Sequence, residues 1–165
     1  MPNYTNSSMI GANLGNSDGA TALFGLGNTL MGQNDTEWIY VCAGVALGTG
    51  SPVMINTSGT AQLLTGAVAS TSSGKLIAFA QGTFAASDYG WVAKRGSPIY
   101  VLVSSVSTAN NILYNGDGGS GALTTTSATS TFAGIALITA SSTGVASAVQ
   151  AFVSWPRLVT SPFIV

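Results

Sequence analysis

Histidine is absent from the 165 residues, and cysteine occurs once, as Cys42. The first absence removes the imidazole base behind Ser-His and Cys-His nucleophiles, together with the commonest transition-metal ligand. The second excludes an intramolecular disulfide and any cysteine-rich zinc site, and it leaves the redox compartment unspecified. Charge is nearly as scarce, with four Lys and Arg against five Asp and Glu, a formal net charge of −1. The cations Lys75, Lys94, Arg95 and Arg157 are scattered and offer no patch to a phosphate backbone, so no nucleic acid partner is expected. Long apolar runs are missing as well. Val41 to Leu47 is among the longest and contains Gly44, far short of the eighteen or so residues of a spanning helix. The aromatic girdles and ten-residue polar-inward strands of a membrane barrel are not visible either, and no membrane partner is expected. Met1-Pro2-Asn3-Tyr4-Thr5-Asn6 shows no basic region followed by an apolar one, so no secretory signal is expected.

What the chain has in quantity is small residues. Gly, Ala, Ser and Thr supply 83 positions, about half of the total. The length fits one domain. Residues 1–33 are rich in Asn, Gly and Ser, with Leu23, Phe24, Leu26, Leu30 and Met31 as the side chains able to pack. They read as an extended N-terminal arm that docks on the body or on a neighbouring subunit. From Thr36 the texture changes to short runs rich in β-branched and aromatic residues. In Thr36 to Cys42, alternation places Trp38, Tyr40 and Cys42 on one face and Glu37, Ile39 and Val41 on the other. Further strands are expected at 52–56, 61–64, 75–81, 90–93, 99–104, 112–114, 132–139 and 149–155. Turns that combine Gly with Asn, Asp, Ser or Thr punctuate them, as in Asn56-Thr57-Ser58-Gly59 and Arg95-Gly96-Ser97-Pro98.

This pattern predicts an all-β fold, a single compact β-sandwich or β-barrel of about eight or nine short strands over residues 34–156, preceded by the arm and followed by an apolar C-terminal tail at 157–165. Helix is expected to be slight, limited to a turn at Val45–Gly48 or Thr83–Ala86. Gly-Ser-Pro opens an apolar run twice, at Gly50-Ser51-Pro52 and Gly96-Ser97-Pro98, 46 residues apart, which is too little to establish a repeat.

Chemistry-bearing constellations are few. Asp35 and Glu37 would share a strand face, a geometry open to acid/base work or calcium, but a solvated strand entry, with Asp35 in a turn and Glu37 on a rim, is the stronger reading. Asn115 to Gly121 lacks the acidic ligands of a calcium loop and the lysine of a phosphate loop. Cys42 has no cationic neighbour in sequence, and Ser72 stands three before Lys75 at a spacing that a serine-rich chain produces by chance. No catalytic residue, metal or cofactor is expected. An enzyme using Asp35, Glu37, Asp88 or Asp117 is the weakest of the readings.

One set of segments carries a family resemblance: Gly32 to Val41 with its Thr36-Glu37-Trp38 strand, Gly50 to Ile55, and Ala78 to Gly96 with Asp88-Tyr89-Gly90-Trp91-Val92. Together they span roughly residues 25–103, and they resemble the capsid decoration, or cement, proteins of tailed bacteriophages. The resemblance implies a β-rich body, assembly most often as a homotrimer, and attachment to the major capsid protein on the outer surface of the virion after synthesis in the host cytoplasm, without catalysis. Candidate contacts to the capsid or between subunits are Leu23, Phe24, Leu26, Leu30 and Met31 in the arm, Tyr89 in the body, and Leu158, Phe163 and Ile164 near the end, because apolar ends need burial somewhere. The alternative is a receptor- or glycan-binding β-domain of a fibre or adhesin, which exposed aromatic residues clustered at loops would favour.

Overall fold

The computed structural model describes residues 12–69, 75–104, 106–111, 113–115, 121–125, 130–142 and 144–159. Phe163 and Ile164 lie outside them. The described residues form eleven strands: β1 (Ser17–Gly19), β2 (Thr29–Met31), β3 (Glu37–Ala43), β4 (Pro52–Ile55), β5 (Thr60–Leu63), β6 (Leu76–Ala80), β7 (Tyr89–Val103), β8 (Leu113–Asn115), β9 (Leu123–Thr124), β10 (Thr131–Leu137) and β11 (Ser147–Val159). One helical turn, α1 (Gly66–Ala69), lies between β5 and β6. The fold is all-β, and among the described residues no helix is long and apolar enough to cross a membrane.

The strands close on themselves twice. β3 pairs antiparallel with β7, β7 with β6, β6 with β4 and β4 with β5, and β5 returns parallel to β3. The second circuit runs from β7 to β11, β10, β8 and β9, and β9 returns parallel to β7. Each circuit has five strands in the same order and sense, and the 15-residue β7 belongs to both. Its first half closes one unit and its second half opens the next.

The two units agree residue by residue. Ile39 pairs with Val92 and Tyr40 with Trp91 in the first, as Ile99 pairs with Ala151 and Tyr100 with Gln150 in the second. Isolated bridges join Leu47 to Phe84 and Ser107 to Ser141 at matching places. The Gly50 N–H donates to the Ala80 carbonyl as the Asn110 N–H donates to that of Leu137. Gly50 and Asn110 are both left-handed, at φ 82° and 65°. The chain is therefore an internal duplication. The Gly-Ser-Pro recurrence does not mark it, since Pro52 opens β4 whereas Pro98 lies inside β7.

Three local expectations change. Arg95 to Pro98 is not a turn, because β7 passes through it, with the register shift opposite Glu37 and Trp38 absorbing the irregularity. Val45–Gly48 and Thr83–Ala86 make no helical turn and carry the Leu47–Phe84 bridge instead. Arg157, Leu158 and Val159 do not begin a tail, because they complete β11, with Leu158 opposite Phe132.

The inward alternation of the first unit gathers Ile39, Val41, Ala43, Val53, Ala61, Ala78, Ala80 and Val92, mostly small side chains that suit a narrow five-stranded ring. Its outward alternation, with Trp38, Tyr40, Phe79 and Trp91, merges with the interior of the second unit (Ile99, Val101, Leu113, Phe132, Leu137) into one larger core. Trp38, Tyr40 and Trp91 are fully buried. Each removes roughly 150–250 Å² from water, a gross gain of about 4–6 kcal/mol apiece before ordering costs.

Candidate interaction surfaces

The N-terminal segment forms the first surface, and the chain itself occupies it. β2 pairs with β3, placing Leu30 opposite Trp38, while β1 pairs with β7 at Tyr89 and Gly90. Between these strands Phe24 is half-buried, with its ring centroid 5.3 Å from those of both Tyr40 and Trp91, and Tyr89 stacks on Tyr40 at 6.5 Å. Tyr40 joins the layers by polar contacts. Its hydroxyl donates to Asp18 at 2.8 Å and accepts the Leu23 N–H at 3.0 Å. Burial first, and then the Asp18 carboxylate, pushes the Tyr40 phenol up to about 12, although the Leu23 N–H works the other way. Gly82 permits the approach of the arm, since a Cβ there would stand 2.0 Å from the Gly15 carbonyl oxygen.

The second feature is a charge cluster where the two units meet. Glu37 on β3 accepts from Lys94 and, at 2.9 Å, from Arg95 Nε, and Arg95 reaches Asp35 at 2.9 Å. Burial alone would raise the Glu37 carboxyl, but hydrogen bonds from Lys94 and Arg95 outweigh it and hold the group below its ordinary value. A carboxylate locked this way is a poor proton donor near neutrality. The Trp155 ring lies 5.0 Å from Lys94 Nζ and 5.3 Å from Arg95 Cζ, half exposed. A bulge puts it there. Ala133 pairs with Arg157 and Ile135 with Val153, so three residues of β11 oppose Gly134 alone, and Trp155 adopts φ 48°.

The third feature is the outward sheet face of the second unit, where Tyr100, Leu102, Ala136, Ile138, Ala148, Gln150 and Phe152 stand on paired strands and the segment after β10. Phe152 is 50 % and Ile138 47 % exposed. Fourth, an open cleft of about 550 Å³ at the mouth of the first ring is lined by Leu26, Ile39, Ile55, Lys75, Leu76 and the 56–59 turn. Asn56 Oδ1, which borders the cleft, is already taken by the N–H groups of Ser58 and Thr60. An apolar floor with one cation brings no convergent catalytic groups together.

The residues singled out in sequence separate accordingly. Leu23 (60 %), Leu26 (42 %) and Met31 (40 %) remain exposed on the arm, whereas Leu30 and Leu158, each 4 % exposed, sit inside the chain's own core. Alternation in β2 and β11 turns those two inward, and neither is accessible to a partner. Phe24 and Tyr89 are half-buried within the arm contact. Asp35 and Glu37 are brought together by Arg95 in ion pairs, and Asp88 Oδ2 accepts the Ala85 N–H in a turn. Cys42 is a half-buried free thiol. Among the described residues no three Cys, Asp or Glu side chains gather as a metal site. Phe152, Ile138 and Trp155 escaped sequence reading, because Phe152 lies in an apolar strand and Ile138 just after one, and only the pairing shows which way they face. No family model matches the chain, and no curated protein matches its sequence.

Proposed function

We propose that the chain is a non-enzymatic structural protein of a phage virion, attached to the outer surface of the capsid as a homotrimer, where it bridges neighbouring copies of the major capsid protein. The resemblance in sequence motivates this reading, and one structural observation carries it. Leu23 and Met31 on the arm and Ile138 and Phe152 on the second unit's outward face are exposed on uncharged surfaces outside the one cleft described above. Charge-poor faces of this kind suit contacts between proteins, whose cores are depleted of charged residues. Clamping acts by linkage: separating two shell subunits joined by such a face re-exposes apolar area, at roughly 25 cal/mol per Å². The glycan-binding alternative draws less support. Exposed large side chains in the described loops are aliphatic (Leu23, Leu26, Val45, Val106), and the exposed aromatics Phe152 and Trp155 stand on a strand.

The test is co-sedimentation of the purified protein with undecorated phage heads at physiological salt. Saturable pelleting, with heads that resist heating better once coated, is the expected result. A protein that stays in the supernatant at every concentration, or that binds a cell-surface glycan and no head, overturns the reading.

A further inference from the structure

The duplication makes one face of this molecule its own control. In the first unit the outward face of β3 and β7 is covered by residues 14–31, with Leu14 and Leu30 buried and Phe24 packed on Tyr40 and Trp91. In the second unit the register puts Tyr100 in the place of Tyr40, Gln150 in that of Trp91, Ala148 in that of Tyr89 and Phe152 in that of Ala93. Ala93 is fully buried, whereas Phe152 is half exposed and Ala148 exposed. Among the described residues the same sheet surface is thus covered in one unit and partly open in the other, where Tyr100 and Gln150 are half-buried and Ala148 and Phe152 exposed.

The covering segment still carries unused apolar side chains, since Leu23, Leu26 and Met31 point to solvent after the arm has docked. Both surfaces are free of charge. No Asp, Glu, Lys or Arg occurs from Gly19 to Asn34, and from Gly96 to Pro156 the sequence has Asp117 alone. Bringing the two together strands no ion in an apolar contact. They also lie on different units of one chain, so the contact between copies is head-to-tail, the kind that builds a ring when its rotation closes.

We propose that the outward face of the second unit, centred on Phe152 and Ile138, receives the exposed arm strip of a second copy of this chain, Leu23 at its centre. The inference rests on the oligomeric part of the reading above, and it is measured without heads so that either can fail alone. Two variants are compared with wild type by sedimentation velocity: Phe152→Glu, which blocks the sheet face, and Leu23→Glu, which blocks the arm while leaving the Leu23 N–H bonded to Tyr40. Each is expected to run as a single chain, with self-association weakened by about 30-fold or more, and to keep a melting temperature no lower than that of a wild-type sample diluted to single chains. Mixed one to one, they are expected to restore a two-chain species, because each still owns the surface the other has lost. Ile138→Glu should behave as Phe152→Glu does and should be rescued by the same partner. A wild-type protein that remains a single chain at high concentration overturns the proposal, as do variants that still assemble or a mixture that does not.

Discussion

Replacing Phe24 with alanine asks whether the N-terminal segment belongs to the folded core. Sequence alone presents it as an extended arm that docks on the body or on a neighbouring subunit. The structure sets a definite expectation. Full burial of a phenylalanine makes truncation to alanine cost about 3–5 kcal/mol, so the half-buried Phe24 ring accounts for roughly 2 kcal/mol. Its contacts with Tyr40 and Trp91, both at 5.3 Å, add about 1 kcal/mol. A loss near 3 kcal/mol in a chain of this length corresponds to a fall of roughly 6–12 °C in melting temperature. Calorimetry and urea titration followed by tryptophan fluorescence measure it, since Trp91 reports directly on the contact. A change under about 0.5 kcal/mol, the range of ordinary surface substitutions, would refute the reasoning and return the arm to the status of an appendage.

Other expectations follow from the same contacts. Because the Tyr40 phenol is raised to about 12 in the folded chain against an ordinary value of 10, its contribution is complete below pH 10 and is lost as pH climbs toward 12, on the order of 2 kcal/mol. Tyr40→Phe should remove that component from the alkaline melting profile, and an unchanged profile would count against it. Glu37 behaves in the opposite sense: its lowered value stabilises the fold above the ordinary carboxylate range and the contribution is lost as pH falls through the folded value. Glu37→Gln should cost about 3 kcal/mol near neutrality by stranding Lys94, and should flatten the acid limb of a stability-against-pH curve. The duplication yields a paired test by chemical denaturation. Asn110→Gly should move stability by less than about 0.5 kcal/mol, whereas Gly50→Asn should cost about 2 kcal/mol or more, because a Cβ at Gly50 would stand 2.7 Å from the Leu102 nitrogen.

Much of the first unit was legible in sequence. Alternation in Glu37 to Ala43 correctly divides Trp38 and Tyr40 from Ile39 and Val41, which face different cores. The Asn56 to Gly59 turn joins β4 to β5 where the sequence places it. The duplication was hidden because equivalence lies in pairing and not in identity. Ser107 and Ser141 stand where Leu47 and Phe84 stand, and Leu123, Phe132 and Leu137 replace Ala61, Ala78 and Ala80. The spacing also drifts, with Ser107 60 positions after Leu47 and Ser141 57 after Phe84, so no fixed period survives. The long β7 was divided in two because Gly96 and Pro98 are turn residues in most settings. Here Gly96 supplies φ 122° beside Thr36, where a Cβ would sit 2.5 Å from a backbone atom. The exposed face on β11 was invisible for a related reason, since inward and outward positions of a closed ring are both apolar when a neighbour covers one of them.

Since β7 serves both circuits, the two units share one continuous strand. Cutting the chain at Gly96 would leave each half its five strands but would uncover the core that the units share, so neither half is expected to stand as a domain. The same continuity gives a mechanical property. Tension applied along the long axis of β7 runs along one covalent backbone flanked by strands on either side, and yielding requires several hydrogen bonds to slide at once instead of opening one by one. A molecule organised around such a strand resists shear as a single body, the property asked of a rivet more than of a hinge.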